Sequence, residues 1–202
     1  MSSDSIEVLH GDGTITETLE FDGREIKFRI SPHSFFQTNT RGAQILYGII
    51  RRWLSELKPK TLLDLYCGGG AIGLCAADLA SKGGGIDQNP SAVADALANA
   101  ALNRIANAEF RPGSVETELF ELQELEAGAV IVDPPRSGLH PKALKALTES
   151  PYPALLYISC SPESLGKDLA VLQGAYRLRE AEAVDLFPHA EPVETAVWLE
   201  RR

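Results

Sequence analysis

Cysteine is scarce in this chain. Cys67, Cys75 and Cys160 are widely spaced and odd in number, which argues against a disulfide framework and against a four-thiolate metal or iron–sulfur site. No metal or cluster is therefore expected, and any reactive thiol must work alone. Long apolar runs are also missing: none approaches the roughly 18 residues that a membrane span needs. The opening Met1-Ser2-Ser3-Asp4 has neither the positive charge nor the apolar run of a signal peptide, so a soluble, cytoplasmic protein without a membrane partner is expected. Excess positive charge is lacking too, since the formal charge is -9, opposite to that of most self-sufficient nucleic-acid binders. The acidity is uneven. Residues 1–26 hold seven acids and only Arg24, whereas residues 27–60 hold seven basic residues against Glu56. A basic face near a binding site and a solvated helix face carrying Arg51 and Arg52 both fit that reversal.

What is present suffices for one sizeable core, with 202 residues of which 44% are hydrophobic. Polar and apolar residues alternate through Ile15, Glu17 and Leu19 and through Ile26, Phe28 and Ile30, on either side of Asp22-Gly23; this pattern predicts a β-hairpin appended to the rest of the chain. From Thr40 the period becomes helical (Ile45, Leu46, Ile49, Ile50, Trp53, Leu54, Leu57), with Asn39 or Thr40 available as cap. Residues 1–39 are thus read as hairpin and lead-in, and 40–202 as the main domain. Strands at 61–66, 84–87, 130–133 and 154–159 then alternate with helices at 71–79, 90–102, near 141–148 and near 162–172. That alternation predicts an α/β fold with a mainly parallel sheet covered on both faces. Two strand-like runs, 177–185 and 193–200, have no helix between them and predict a closing antiparallel hairpin.

Ligands of such sheets bind where strands end and their order reverses. Asp64-Leu65-Tyr66-Cys67-Gly68-Gly69-Gly70-Ala71-Ile72-Gly73 runs a strand through a glycine turn into a helix, so that a ligand can approach bare backbone at Gly68 and Gly70. Asp87 follows Gly68 by nineteen residues and could accept from ribose hydroxyls. On spacing alone a nicotinamide dinucleotide and S-adenosylmethionine fit equally. In Asp133-Pro134-Pro135-Arg136-Ser137-Gly138-Leu139 two prolines end a strand abruptly. This is either a stiff connection or a rigid loop that presents Asp133 to a cofactor or base edge and Arg136 to a phosphate or carboxylate.

Tyr157-Ile158-Ser159-Cys160-Ser161-Pro162 puts a cysteine between strand and helix. A helix N-terminus can lower a thiol pKa and create a nucleophile; a small packed side chain is the plain alternative. Cys75, among Leu74, Ala76 and Ala77, reads as packing. Glu194 enters an apolar final strand after Phe187-Pro188-His189. There it is either a carboxylate of raised pKa suited to general-base work or an edge residue facing water. His189 either orients substrate or caps a turn.

Taken together with Phe28-Arg29-Ile30-Ser31-Pro32-His33-Ser34-Phe35-Phe36-Gln37-Thr38-Asn39, these segments resemble the RNA 5-methyluridine (uracil-5-) methyltransferase family, and the similarity covers nearly the whole chain. The resemblance implies a Rossmann-like class I methyltransferase fold acting on uridines of transfer or ribosomal RNA. It implies Cys160 as nucleophile, Glu194 as base, and Gln37, Tyr66, Asp87, Ser114 and Asp133 around S-adenosylmethionine. The chain departs from the family pattern at Ser161, where an asparagine is usual, and at Pro192, where a histidine is usual. The family's N-terminal RNA-binding domain and its clustered cysteines have no counterpart here, which implies weak or partner-assisted RNA binding by an excised domain or a short form. Two other readings make different predictions: a nicotinamide-dependent dehydrogenase, and a non-catalytic cofactor-binding remnant that needs a partner.

Overall fold

A computed structural model describes residues 7–32, 34–122, 127–189 and 193–202; His33 and Pro192 lie outside them. Strands β1 (Ile15–Phe21) and β2 (Arg24–Ile30) pair antiparallel through a turn at Asp22 and Gly23, both with positive φ, the geometry that matches the twist of a two-residue hairpin. Their alternation turns Leu19, Phe21, Ile26 and Phe28 inward, where they join the main core beside α1 (Thr40–Leu57). Asn39 caps α1 by accepting from the Gly42 amide, and its side-chain amide donates to the Leu186 carbonyl at 2.7 Å.

The chain continues through β3 (Thr61–Leu65), α2 (Ala71–Cys75), β4 (Lys82–Asp87), α3 (Pro90–Leu102), β5 (Ala108–Pro112), α4 (Val115–Leu122), β6 (Ala129–Val132), α5 (Pro141–Glu149), β7 (Ala154–Ser159), α6 (Pro162–Leu172), β8 (Tyr176–Val184) and β9 (Glu194–Arg201). The large sheet has the order β5-β4-β3-β6-β7-β9-β8, parallel from β5 to β7 and closed by the antiparallel β9 and β8. This is the mainly parallel α/β sheet with a closing antiparallel hairpin that the sequence predicts, and its strand order reverses between β3 and β6. Alternate strand residues supply two cores. Leu62, Ile131, Leu156 and Trp198 pack toward α1 and the hairpin, while Leu63, Val130, Leu155 and Val197 pack toward α5 and α6. Among the described residues, no helix is long and apolar enough to cross a membrane.

Four features differ from expectation. Strand β5 and helix α4 lie outside the expected elements: β5 is an edge strand in which only Phe110 is buried, and α4 buries Val115 and Leu119. That ring explains Gly85 of β4, where a Cβ would stand 2.6 Å from Phe110 Cδ1. The expected helix over 71–79 breaks after Cys75 into a separate 3-10 turn at Ala77–Leu79. Finally, Arg51 and Arg52 form no free basic face. Arg51 is buried and binds Asp78, Asp22 and the Cys75 carbonyl, and Arg52 is held by Glu180 and Glu182.

Candidate active site

At the strand-order reversal lies a cleft of about 510 Å3, of the size that binds small molecules. Six chain segments build it. The lead-in contributes Phe35, Gln37 and Thr38; the glycine turn gives Tyr66 and Gly68; β4 ends in Asp87 and Gln88; the loop after β6 gives Asp133, Pro134, Pro135 and Arg136; and Cys160, Phe187 and Glu194 close the far side. Gln37, Tyr66, Gly68, Asp87, Asp133, Arg136, Cys160 and Glu194 are therefore brought together from sites spread over 158 positions of a 202-residue chain.

Tertiary pairing explains the convergence. Asp64 pairs with Ile131 across β3 and β6, and Ser159 with Thr195 across β7 and β9. Side chains two residues apart share a face, so Asp64, Asp133, Cys160 and Glu194 all point to the α1 side. One step past the last β7–β9 pair come Cys160 and Glu194, which line the same cleft.

The glycine turn is tightly held. Tyr66 at φ 61 and Gly68 at φ 52 take the left-handed conformation, which is uncommon for a bulky residue and is retained where the surroundings enforce it. The Gly68 amide donates to Asp87 Oδ2 at 3.0 Å, and the Asn89 amide donates to Oδ1 at 2.8 Å. Gly70 lies beneath the cleft, not on its wall; a Cβ there would meet Ala96, Phe110 and Leu74 at 3.0–3.2 Å.

Carboxylates dominate the electrostatics. Burial, then the charges of Glu194 and Asp64, pushes Asp133 up to about 8. Burial pushes Asp64 up to about 7 against the opposing Gly73 amide, and it raises Glu194, which is 6% exposed. The half-buried Cys160 thiol is also pushed up, by burial first and then by Glu194 and Asp133. The expected lowering by the helix N-terminus is not found. Ser161, one residue later, is the actual cap; its side chain accepts from the Ser164 amide and its carbonyl from the Leu165 amide. Cys67 and Cys75 are buried, and their thiols are raised far higher.

Besides Gly70, two expected residues do not line the cleft. Ser114 hydrogen-bonds Glu116, which accepts from the Tyr66 hydroxyl at 3.2 Å, so Ser114 reaches the cleft only through that link. His189 is exposed in a turn. Conversely, Phe35, Thr38, Gln88 and Phe187 line the wall although no sequence motif marks them individually. The run Phe35-Phe36-Gln37-Thr38, too polar and irregular for an element yet rich in aromatics, is the available signal.

Comparison with known proteins gives a consistent pattern. A family model described as tRNA (uracil-5-)-methyltransferase matches residues 3–202. An uncharacterized RNA methyltransferase of Clostridium tetani is 41% identical over 200 residues, which are 98% of this chain and 43% of that protein. One from Caldanaerobacter subterraneus is likewise 41% identical, over 98% of this chain and 43% of its own length. The crystal structure of Pyrococcus abyssi tRNA (uracil-54, C5)-methyltransferase with S-adenosyl-L-homocysteine superimposes with TM-score 0.80 at 34% identity, over 98% of this chain and 48% of that one. A putative Escherichia coli methyltransferase, yhhF, shares the fold at 17% identity and TM-score 0.65, over 92% of this chain and 98% of its own. The chain thus spans somewhat under half the length of the curated relatives it matches.

Proposed function

Because this chain belongs to the tRNA (uracil-5-)-methyltransferase family, we propose that it transfers a methyl group from S-adenosylmethionine to carbon 5 of a uridine in transfer or ribosomal RNA, through a covalent adduct with Cys160. The observation that carries the reading is the placement of the Cys160 thiol beside the Glu194 carboxylate in one cleft.

The residues fit the cofactor. Gly68 leaves backbone bare at the turn, Asp87 stands at the end of β4 where ribose hydroxyls would be accepted, and Asp133 and Glu194, held toward their neutral forms by burial, would be drawn toward ionisation by a cationic sulfonium. Gln37 and Tyr66 complete that wall, Gly70 shapes the turn from below, and Ser114 supports Tyr66 through Glu116. The family match disfavours the dehydrogenase. Bound S-adenosylmethionine supplies an electrophilic methyl group.

Uracil carbon 5 is a weak nucleophile. Cys160, as thiolate, adds to carbon 6, and the displaced π electrons form an enolate that makes carbon 5 nucleophilic. Once carbon 5 bears the methyl group, Glu194 removes its proton; those electrons restore the carbon 5–carbon 6 double bond and expel the thiolate. The base must leave its stack to enter the cleft. Arg136, exposed at the rim, is placed for a phosphate of the substrate, and the exposed His189 for RNA farther out. With a net charge of -9, RNA binding by this chain is weak or assisted by a partner or a further domain.

RNA containing 5-fluorouridine tests the reading, because its carbon 5 has no proton to lose. Incubation with S-adenosylmethionine should give a gel-stable adduct that disappears in Cys160→Ala and persists in Glu194→Gln. Cofactor binding without an adduct would instead support the remnant that needs a partner.

A further inference from the structure

Helix α3 carries a polar stripe that pairs with β2 as a neighbouring strand would. Asp95, Asn99 and Asn103 recur every four residues, about 6 Å along a helix, and the outward amides of Ser31, Arg29 and Lys27 recur every two residues, about 6.7 Å along a strand. The near match lets three side chains pair with three backbone amides in antiparallel order. Ser31 donates to Asp95 Oδ2 at 2.9 Å, Arg29 to Asn99 Oδ1 at 2.8 Å and Lys27 to Asn103 Oδ1 at 2.8 Å. The free edge of β2 is thereby satisfied and its register on α3 defined.

Asn99 differs from its neighbours in the stripe. It is 2% exposed, and its side-chain amide donates to the Gly69 carbonyl at 3.2 Å. One side chain thus ties the strand that leads to Phe35, Gln37 and Thr38 to the glycine turn beside it. Ser34 on that lead-in also faces the turn: a Cβ at Gly69 would lie 3.1 Å from its Oγ. With Asp87 holding the Gly68 amide from the other side, the turn is pinned at both peptides.

Resting on the methyltransferase reading above, we propose that Asn99 is a positioning residue for the cofactor site, setting the gap between the lead-in segment and the glycine turn through its paired bonds to Arg29 and Gly69. The two bonds are separable by chemistry. Aspartate at 99 can still accept from the Arg29 amide, but it cannot donate to Gly69 and sets a carboxylate against a carbonyl oxygen. Asn103 serves as control, since it bonds both the amide and the carbonyl of Lys27 and has no bond to the turn.

Equilibrium binding of S-adenosylhomocysteine to the 202-residue chain, with urea midpoints measured alongside, tests this. Asn99→Asp should weaken binding about tenfold, the order of one lost buried hydrogen bond, while Asn103→Ala lowers the urea midpoint and leaves affinity unchanged. Should Asn99→Asp not fold, Asn99→Ala, which removes both bonds without adding repulsion, should still weaken binding about fivefold. Wild-type affinity in a folded Asn99 variant, or equal losses in the Asn99 and Asn103 variants, would overturn the proposal. Failure of the wild-type chain to bind S-adenosylhomocysteine would overturn the methyltransferase reading instead.

Discussion

Cys160 and Glu194, 34 residues apart in sequence, line one cleft where β7 ends and β9 begins, one step beyond the pair Ser159 and Thr195. The Cys160 pKa, raised first by burial, is raised further by the charge of that acid.

Thiol labelling should reveal that coupling. Iodoacetamide should modify Cys160 before the buried Cys67 and Cys75, with a rate that rises with pH as the thiolate forms. In Glu194→Gln one negative neighbour is lost, so the labelling profile should move to lower pH while turnover falls by at least about a hundredfold, the lower range for a lost general base. An unmoved profile would show that the carboxylate does not face the sulfur.

Asp64 bears on stability. Its folded pKa of about 7 lies above the ordinary value of 3.8, so the folded state holds a proton that the unfolded state releases. Stability from this group is complete below about pH 4 and is lost as pH rises to about 7. Asp64→Asn keeps an acceptor for the Gly73 amide and removes the titration. Its Tm relative to wild type should improve steadily from pH 4 to pH 7.5 in thermal melts.

Gly70 tests the floor of the turn. At φ 78, with Ala96 Cβ 3.0 Å from the position of an added Cβ, Gly70→Ala should cost about 2 kcal/mol. Urea denaturation measures this loss, and S-adenosylhomocysteine affinity should fall with it.

Arg51 is structural. Removing its guanidinium strands Asp78 and the Cys75 carbonyl, so Arg51→Ala should lose about 3 kcal/mol in urea. Arg136→Ala at the exposed rim should leave stability unchanged and weaken RNA binding, with the salt dependence reduced by about one phosphate contact.

Elements with strong local signals are legible in the amino-acid sequence. Asn89 before Pro90 marks the start of α3, and the alternating residues around Asp22-Gly23 mark the hairpin, because caps and turns are written in adjacent residues. Strand β5 is not legible, since an edge strand with one buried ring leaves no periodic trace. The fate of Arg51 and Arg52 is equally hidden: a charged helix face looks the same whether its partners are water or the acids Asp78, Glu180 and Glu182.

The candidate site divides in the same way. Sequence by itself determined which groups are available, namely the glycine turn, the acid after β4, the proline-stiffened loop, the thiol and the late carboxylate. Each is a residue type at a strand end, and strand ends follow from local pattern. Only the tertiary structure decided that Asp133, Cys160 and Glu194 share one face, that Ser161 and not Cys160 caps α6, and that the thiol pKa goes up. Those outcomes depend on cross-strand register and on which charges burial brings together, quantities set by contacts between residues far apart in the chain.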